Sequence, residues 1–381
     1  MKNKYYFYRN PFFKVYARIE DGRVKMETSG IASSFMGSFV SDMMEIFEDT
    51  KPSKIEKDRL IYSTWMPPIP SKAFDRLVSS QMSAMRGKYV PEQITISITE
   101  ECPNRCLHCA LPDTKNKARL SPDVVKNIID QVQDLGTTLI IFDGGEPLLY
   151  DGLEDLIRYV DRSRAIPGLF TSGVGMTPER ASNLKDAGLS MLSVSLDSAN
   201  AQGHDHMRGR PGVFNEAVNA IRCGLAADLL VGIYVVLSPA NVGELDDFYE
   251  LAKELGVHEL SFYEIVPTGR WQGHEKEVLS SEDLNRFDAF VQRTSHAPGP
   301  RVFPIPQIIR KMGCFAGRKW LHVTPEGDVL PCACMPKPYG NIHNESLGSI
   351  WKKIYKDPVF KSGPCLMRDP EFRKVHLGLE Q

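Results

Sequence analysis

Three cysteines stand within eight residues, in Glu101-Cys102-Pro103-Asn104-Arg105-Cys106-Leu107-His108-Cys109. Thiolates spaced in this way on one short loop can hold three irons of a four-iron cluster and leave the fourth iron open to a small ligand. An open iron implies chemistry rather than scaffolding. A structural zinc site is the competing reading, but zinc wants four closed ligands, and only His108 lies near enough in sequence to complete the set. Cys314, Cys332, Cys334 and Cys365 form a second group near the C-terminus. Four thiolates suffice for one further iron–sulfur cluster or for one zinc ion. The short Cys332-Ala333-Cys334 spacing leaves open whether Cys334 is a ligand or points away from an open iron. Cys223 stands alone and reads as a small buried hydrophobe.

Other groups suit the neighbourhood of such a cluster. Phe142-Asp143-Gly144-Gly145-Glu146-Pro147 combines glycines that let a backbone approach a ligand with a carboxylate that can accept hydrogen bonds from an ammonium group. In Ser193-Val194-Ser195-Leu196-Asp197, the two-residue period of a strand puts Ser193, Ser195 and Asp197 on one face. Arg208, in His204-Asp205-His206-Met207-Arg208-Gly209, offers a guanidinium fork for a carboxylate. His204 and His206 read as polar surface of an exposed loop, lacking a third ligand nearby. Asn241 is either a weaker ligand candidate or a helix cap.

These residues need a frame, and the hydrophobic pattern supplies one. Six β-rich runs, Gln93–Thr99, Thr138–Phe142, Gly168–Thr171, Met191–Leu196, Val231–Leu237 and Glu259–Ile265, alternate with helical stretches. That alternation predicts parallel β/α units. Ser121-Pro122 and Thr177-Pro178 place a capping hydroxyl before a proline at the first helical position, and Gly188 is a helix stop. The fold class is therefore α/β, a partial (β/α)6 barrel of TIM type over residues 91–297. Its functional groups should lie on loops after the C-terminal ends of the strands, where the motifs fall. Residues 1–90 form an N-terminal appendage. It holds a hairpin turning at Asp21-Gly22, an amphipathic helix marked by Phe35, Phe39, Met43 and Phe47, and a connector through Trp65-Met66-Pro67-Pro68-Ile69-Pro70. It does not read as a three-strand, three-helix unit. Residues 298–381 form a cysteine- and turn-rich extension.

Composition narrows the partners. Lys and Arg number 46 against 48 Asp and Glu, so no global basic field draws nucleic acid or anionic lipid. No apolar run approaches a membrane span and the N-terminus is not a signal peptide, which predicts a cytoplasmic protein. Eight cysteines in 381 residues are too sparse for a disulfide framework.

The CxxxCxxC loop, placed after the first strand of a β/α series, resembles the signature of the radical S-adenosylmethionine superfamily. The resemblance extends to the Gly144-Gly145-Glu146-Pro147 loop, the Ser195 and Asp197 strand, and the His-Asp-x-x-Arg-Gly segment ending at Arg208-Gly209. It implies that Cys102, Cys106 and Cys109 bind a [4Fe-4S] cluster and that His108 packs near the adenine. Gly144, Gly145, Glu146, Ser195, Asp197 and Arg208 would then contact S-adenosylmethionine. Cys314, Gly327, Cys332, Tyr339-Gly340-Asn341-Ile342 and Leu347-Gly348-Ser349-Ile350-Trp351 resemble the family's SPASM and Twitch extensions. This implies an auxiliary [4Fe-4S] cluster on Cys314, Cys332, Cys334 and Cys365. A full SPASM domain carries further cysteines, which favours a Twitch-like or truncated form. The resemblance implies reductive cleavage of S-adenosylmethionine, hydrogen abstraction from a peptide or small-molecule substrate, and a one-electron reductant such as flavodoxin or ferredoxin. A non-enzymatic zinc or iron–sulfur scaffold is the alternative.

Overall fold

The computed structural model describes residues 4–30, 37–84, 86–111, 117–360 and 363–378. The chain opens with β1 (Tyr5–Arg9), β2 (Phe13–Glu20), β3 (Arg23–Gly30), α1 (Gly37–Phe47), β4 (Lys54–Ile55), β5 (Leu60–Ile61) and α2 (Lys72–Ala84). β2 and β3 pair antiparallel from Phe13↔Gly30 to Glu20↔Arg23, the expected hairpin. Asp21 and Gly22 turn it with φ of 50° and 76°, the left-handed pair that a two-residue turn requires. β1 adds a third strand to this sheet, beyond the single hairpin expected. Its run of Tyr and Phe residues masks the alternation, since tyrosine suits either face. Phe35 lies outside the described residues, as does the Phe39 side chain. Met43 and Phe47 are buried, and Phe47 meets Phe7 edge-on at 4.7 Å.

The central part follows as β6 (Gln93–Ser97), α3 (Pro122–Leu135), β7 (Leu139–Asp143), α4 (Leu153–Tyr159), β8 (Ile166–Thr171), α5 (Pro178–Ala187), β9 (Met191–Ser195), α6 (Ala201–Arg208), α7 (Val213–Ala226), β10 (Val231–Leu237), α8 (Leu245–Leu255) and β11 (Glu259–Glu264). β6 to β11 lie side by side in sequence order, all parallel. The proline-led helices start as their sequence dictates. Ser121 accepts from the Val124 N–H at 3.4 Å and Thr177 from the Arg180 N–H at 3.0 Å, while Gly188 ends α5 with φ of 95°.

The last part comprises α9 (Ser281–Thr294), β12 (Arg301–Pro304), α10 (Ile305–Met312), β13 (Trp320–Val323), β14 (Val329–Leu330), α11 (Leu347–Lys356) and α12 (Pro370–Leu377). β12 joins the sheet beside β11 and β13 joins it beside β6, both parallel, so this segment lengthens the curved sheet at both edges. β13 and β14 form a hairpin, with His322↔Leu330 and Val323↔Val329.

Alternation sorts the strands into two faces. Ile94, Ile96 and Ile98, then Ile140 and Phe142, then Leu192 and Val194, pack outward into one core with Val125, Ile128, Ile129 and Val132 of α3. Each fully buried side chain of this kind contributes about 1.5–3 kcal/mol. Leu139, Ile141, Ile166, Met191 and Leu230 form a smaller inward cluster at the strand starts, joined by Trp65 from the N-terminal connector. Beyond that floor, toward the strand ends, the interior opens into a cavity lined by both aromatic and polar side chains. Among the described residues no helix is long and apolar enough to cross a membrane.

Candidate functional site

The loop after β6 carries Cys102, Cys106 and Cys109, and neighbouring elements hold it by its backbone. The Arg105 N–H donates to the Arg208 carbonyl and the Leu107 N–H to the Met207 carbonyl, both at 2.9 Å, so the loop is sewn to the end of α6. The Arg270 N–H donates to the Cys109 carbonyl at 3.0 Å. Asn104 is buried at the loop's centre, where it donates to Ser172 Oγ at 3.0 Å and accepts from Arg210 Nε at 2.9 Å.

Behind the loop lies a charged cluster with very little solvent. Asp197 Oδ2 pairs with Arg208 Nη2 at 2.7 Å and stands 3.7 Å from His108 Nε2. Arg208 Nη1 reaches Cys106 Sγ at 3.7 Å. The fork read from the sequence is therefore shared between Asp197 and a cysteine of the first loop. Burial opposes both charges, yet the Arg208 guanidinium holds Asp197 below the usual carboxylate range, while Asp197 and the Cys106 thiol raise Arg208. Burial lowers His108, which keeps the ring neutral. Asn241 donates to the Asp197 carbonyl at 2.9 Å and to that of Val236 at 3.0 Å, and accepts from the Ser238 N–H at 2.8 Å. It braces the end of β9 and makes no side-chain cap. The reading of His204 and His206 as an exposed loop pair is corrected. They sit on α6, capped by Asn200, and the helix turn aims His204 inward while His206 stays exposed. His204 is fully buried and accepts from the Asp197 N–H at 3.0 Å.

The glycines after β7 are fixed by close approach. A Cβ on Gly144 would strike the Thr99 carbonyl oxygen, and one on Gly145 would strike that of Glu101. The Gly145 N–H donates to Thr99 at 2.6 Å and the Glu146 N–H to Glu101 at 2.7 Å, so this loop is laid against the start of the cysteine loop. The Glu146 carboxylate is fully buried. It accepts from Thr171 Oγ1 at 2.6 Å, Ser172 Oγ at 2.5 Å, the Ser172 N–H at 2.9 Å and the Leu148 N–H at 3.1 Å. Glu146 thus stands behind the wall and ties it to β8, whereas Gly144, Gly145, Ser195, Arg208 and His108 line the cavity itself.

That cavity, about 930 Å³, carries both groups of cysteines. Cys102, Cys106 and Cys109 line it, and so do Cys314, Cys332, Cys334 and Cys365; Cys334 does not point away. Cys314 and Cys365 share a hydrogen bond that lowers the Cys314 thiol to about 6 and raises Cys365. The same cavity carries an aromatic wall that the sequence reading missed. Tyr234 and Tyr263 pack at 4.6 Å, Trp65 stacks on Phe303 at 5.7 Å and meets Phe170 and Tyr263 at 5.5 Å, and Tyr263 stacks on Trp320 at 6.2 Å. Phe170, Tyr234 and Tyr263 come from strands read only as hydrophobic runs, where inward and outward aromatics look alike, and Trp65 from a segment read as a connector.

The donor sets fit iron–sulfur clusters. Each group presents sulfur alone to the cavity, and burial with mutual thiolate repulsion pushes Cys102 and Cys334 up to about 11 and raises Cys106 and Cys332. Such thiols become thiolates only with a cationic group among them, which is what bound iron supplies. Among the described residues no three His, Cys, Asp or Glu side chains close around a single ion.

Comparison with known proteins agrees with this geometry. The Radical SAM superfamily model matches residues 96–252, and the model of an iron–sulfur cluster-binding domain, SPASM, matches residues 314–374. The extension read as a Twitch- or SPASM-like auxiliary-cluster unit thus matches the SPASM model. An AdoMet-dependent heme synthase of Methanosarcina barkeri is 31% identical over 316 residues, covering 76% of this chain and 88% of that protein. A PqqA peptide cyclase of Streptomyces rochei is 30% identical over 297 residues, covering 74% and 80%. Among solved structures, SuiB of Streptococcus suis bound to its precursor peptide superposes with a TM-score of 0.60 at 15% identity, covering 91% of this chain and 88% of that one.

Proposed function

Because this chain belongs to the radical S-adenosylmethionine superfamily and carries its SPASM iron–sulfur extension, we propose that it turns over a planar, tetrapyrrole-like substrate held between the two cysteine groups. With cluster and S-adenosylmethionine bound, the chemistry supplied is reductive cleavage to a 5′-deoxyadenosyl radical, which abstracts a substrate hydrogen. Cys102, Cys106 and Cys109 would hold the first cluster, three thiolates for four irons, and Cys314, Cys332, Cys334 and Cys365 would hold the auxiliary cluster. Gly144, Gly145, Ser195, Arg208 and His108 contact S-adenosylmethionine, while Glu146 and Asp197 fix the backbone and the guanidinium that do so. Residues 298–381 act as the auxiliary-cluster unit and residues 1–90 as an appendage that closes the barrel floor through Trp65. The electron comes from a cytoplasmic one-electron donor such as flavodoxin or ferredoxin.

The single observation behind the substrate class is the cavity: both thiol groups face one space walled by Trp65, Phe170, Tyr234, Tyr263 and Trp320. Flat aromatic walls suit a flat π-system, and the 31% identical relative is a heme synthase. The purified protein should bind an iron porphyrin with propionate side chains in a saturable one-to-one titration of its main absorption band. Deuterium should then move from labelled propionate carbons into 5′-deoxyadenosine. A peptide substrate is the second reading, favoured by the peptide cyclase relative and by the three-stranded N-terminal sheet, whose β1 edge can accept an extended strand, the β3 edge being bonded to residues 48–50. No porphyrin binding, together with deuterium transfer from a labelled peptide, would select it.

A further inference from the structure

Three polar side chains, Ser97, Asp143 and His322, face the barrel interior from adjacent strands, and none has been given a role above. Ile94 and Ile96 of β6 and the Ile98 that follows it face outward, which leaves Ser97 inward. Ser97 is the register partner of Asp143 on β7, and His322 on β13 is the partner of Thr95, one step from Ser97. Ser97 Oγ donates to Asp143 Oδ1 at 2.7 Å and stands 3.4 Å from His322 Nε2. Ser97 and His322 are 1% and 3% exposed, and Asp143, half-buried, lines the cavity. Polar groups sealed this deeply cost free energy unless they are paired, and here the pairing terminates in a carboxyl at the cavity wall.

Asp143 and Asp197 stand at the ends of β7 and β9 in opposite surroundings. Asp197 is neutralised by Arg208 and stays ionised. Burial pushes Asp143 up to about 7, opposed only by the Ser97 hydroxyl. Burial also holds His322 neutral, at about 4, so no cation draws the Asp143 proton away. Across the cavity, Tyr234 of β10 feels Asp143 together with Cys334, Asp197 and Arg208. Two carboxyls driven apart in this way can divide acid–base and electrostatic work between them.

We propose that Asp143 is the acid–base residue of the substrate cavity, exchanging a proton with an O–H, N–H or carboxyl group of the bound substrate, and that Ser97 is its positioning residue. The inference rests on the radical-enzyme reading of the site. In the forward sense the proton leaves the substrate heteroatom, the bonding pair stays on that atom and an O–H bond forms on Asp143. No electron changes hands. A group titrating near the working pH can serve in either direction.

Infrared difference spectra of the reconstituted protein against D143N, recorded from pH 5 to 9, test this without a substrate. A protonated-carboxyl band absent from D143N and titrating near neutrality is expected, and S97A should move its midpoint upward, since the carboxylate loses its hydrogen bond. With the iron porphyrin or peptide that donates deuterium, D143N should slow product formation about 100-fold or more and erase the pH limb near neutrality. An Asp143 ionised throughout this range, or unchanged turnover in D143N, would overturn the proposal. Failure of the wild-type protein to form 5′-deoxyadenosine would instead overturn the reading on which it rests.

Discussion

At the scale of single residues, the site works by setting like groups in unlike surroundings. Asp197 holds its charge because Arg208 is 2.7 Å away, and Arg208 in turn meets Cys106. Removing one partner of a buried ion pair leaves the other charge uncompensated, so D197A should cost about 3–5 kcal/mol in denaturant unfolding. R208A, which leaves Asp197 free to take a proton, should cost less. Asp143 makes a prediction of opposite sign. Its folded value of about 7 lies above the ordinary 3.8, so the stability it contributes is complete below about pH 4 and is lost as pH rises through 7. D143N removes that loss. Its melting temperature should therefore track the wild type at pH 4 and rise relative to it above pH 7; parallel curves would show that Asp143 is not held protonated. Neither aspartate's environment is legible in the sequence, where Asp143 reads only as the residue that leads into the Gly144-Gly145 loop. Burial and the presence of a cation are tertiary facts.

At the scale of elements, two loops and one short helix make the cofactor side of the cavity, and each is fixed by backbone. The cysteine loop hangs on the last carbonyls of α6, and the Gly144-Gly145 loop lies on Thr99 and Glu101. A methyl group on Gly145 has no room, so G145A should destabilise the fold by about 1–3 kcal/mol and lower the iron retained at the first site. Thermal melts and iron analysis would check both effects. Much of this level was readable in advance. The strand starts at Gln93, Met191, Val231 and Glu259, the Ser121 and Thr177 caps and the β2/β3 hairpin follow from alternation and turn chemistry. β1 was missed because its tyrosines blur the period, and α6 because a segment rich in His, Asp and Gly resembles a loop. The joining of β12 and β13 to the barrel edges was hidden because strands of four residues carry almost no periodic signal.

At the scale of the molecule, β12 and β13 bring the C-terminal cysteines over the same cavity that the first loop serves, and Trp65 closes the floor from the N-terminal side. The two thiol groups are nevertheless built on separate segments. Replacing Cys314 and Cys332 with Ala should therefore remove about four irons and spare the first cluster, while replacing Cys102, Cys106 and Cys109 should abolish 5′-deoxyadenosine formation and leave the C-terminal iron in place. The central claim is that the first cluster keeps one iron open to S-adenosylmethionine. Electron paramagnetic resonance of the reduced C314A/C332A protein, with and without S-adenosylmethionine, tests this most directly. A signal that shifts on addition of the nucleotide is the expected result, and a reduced cluster whose spectrum ignores it would contradict the account.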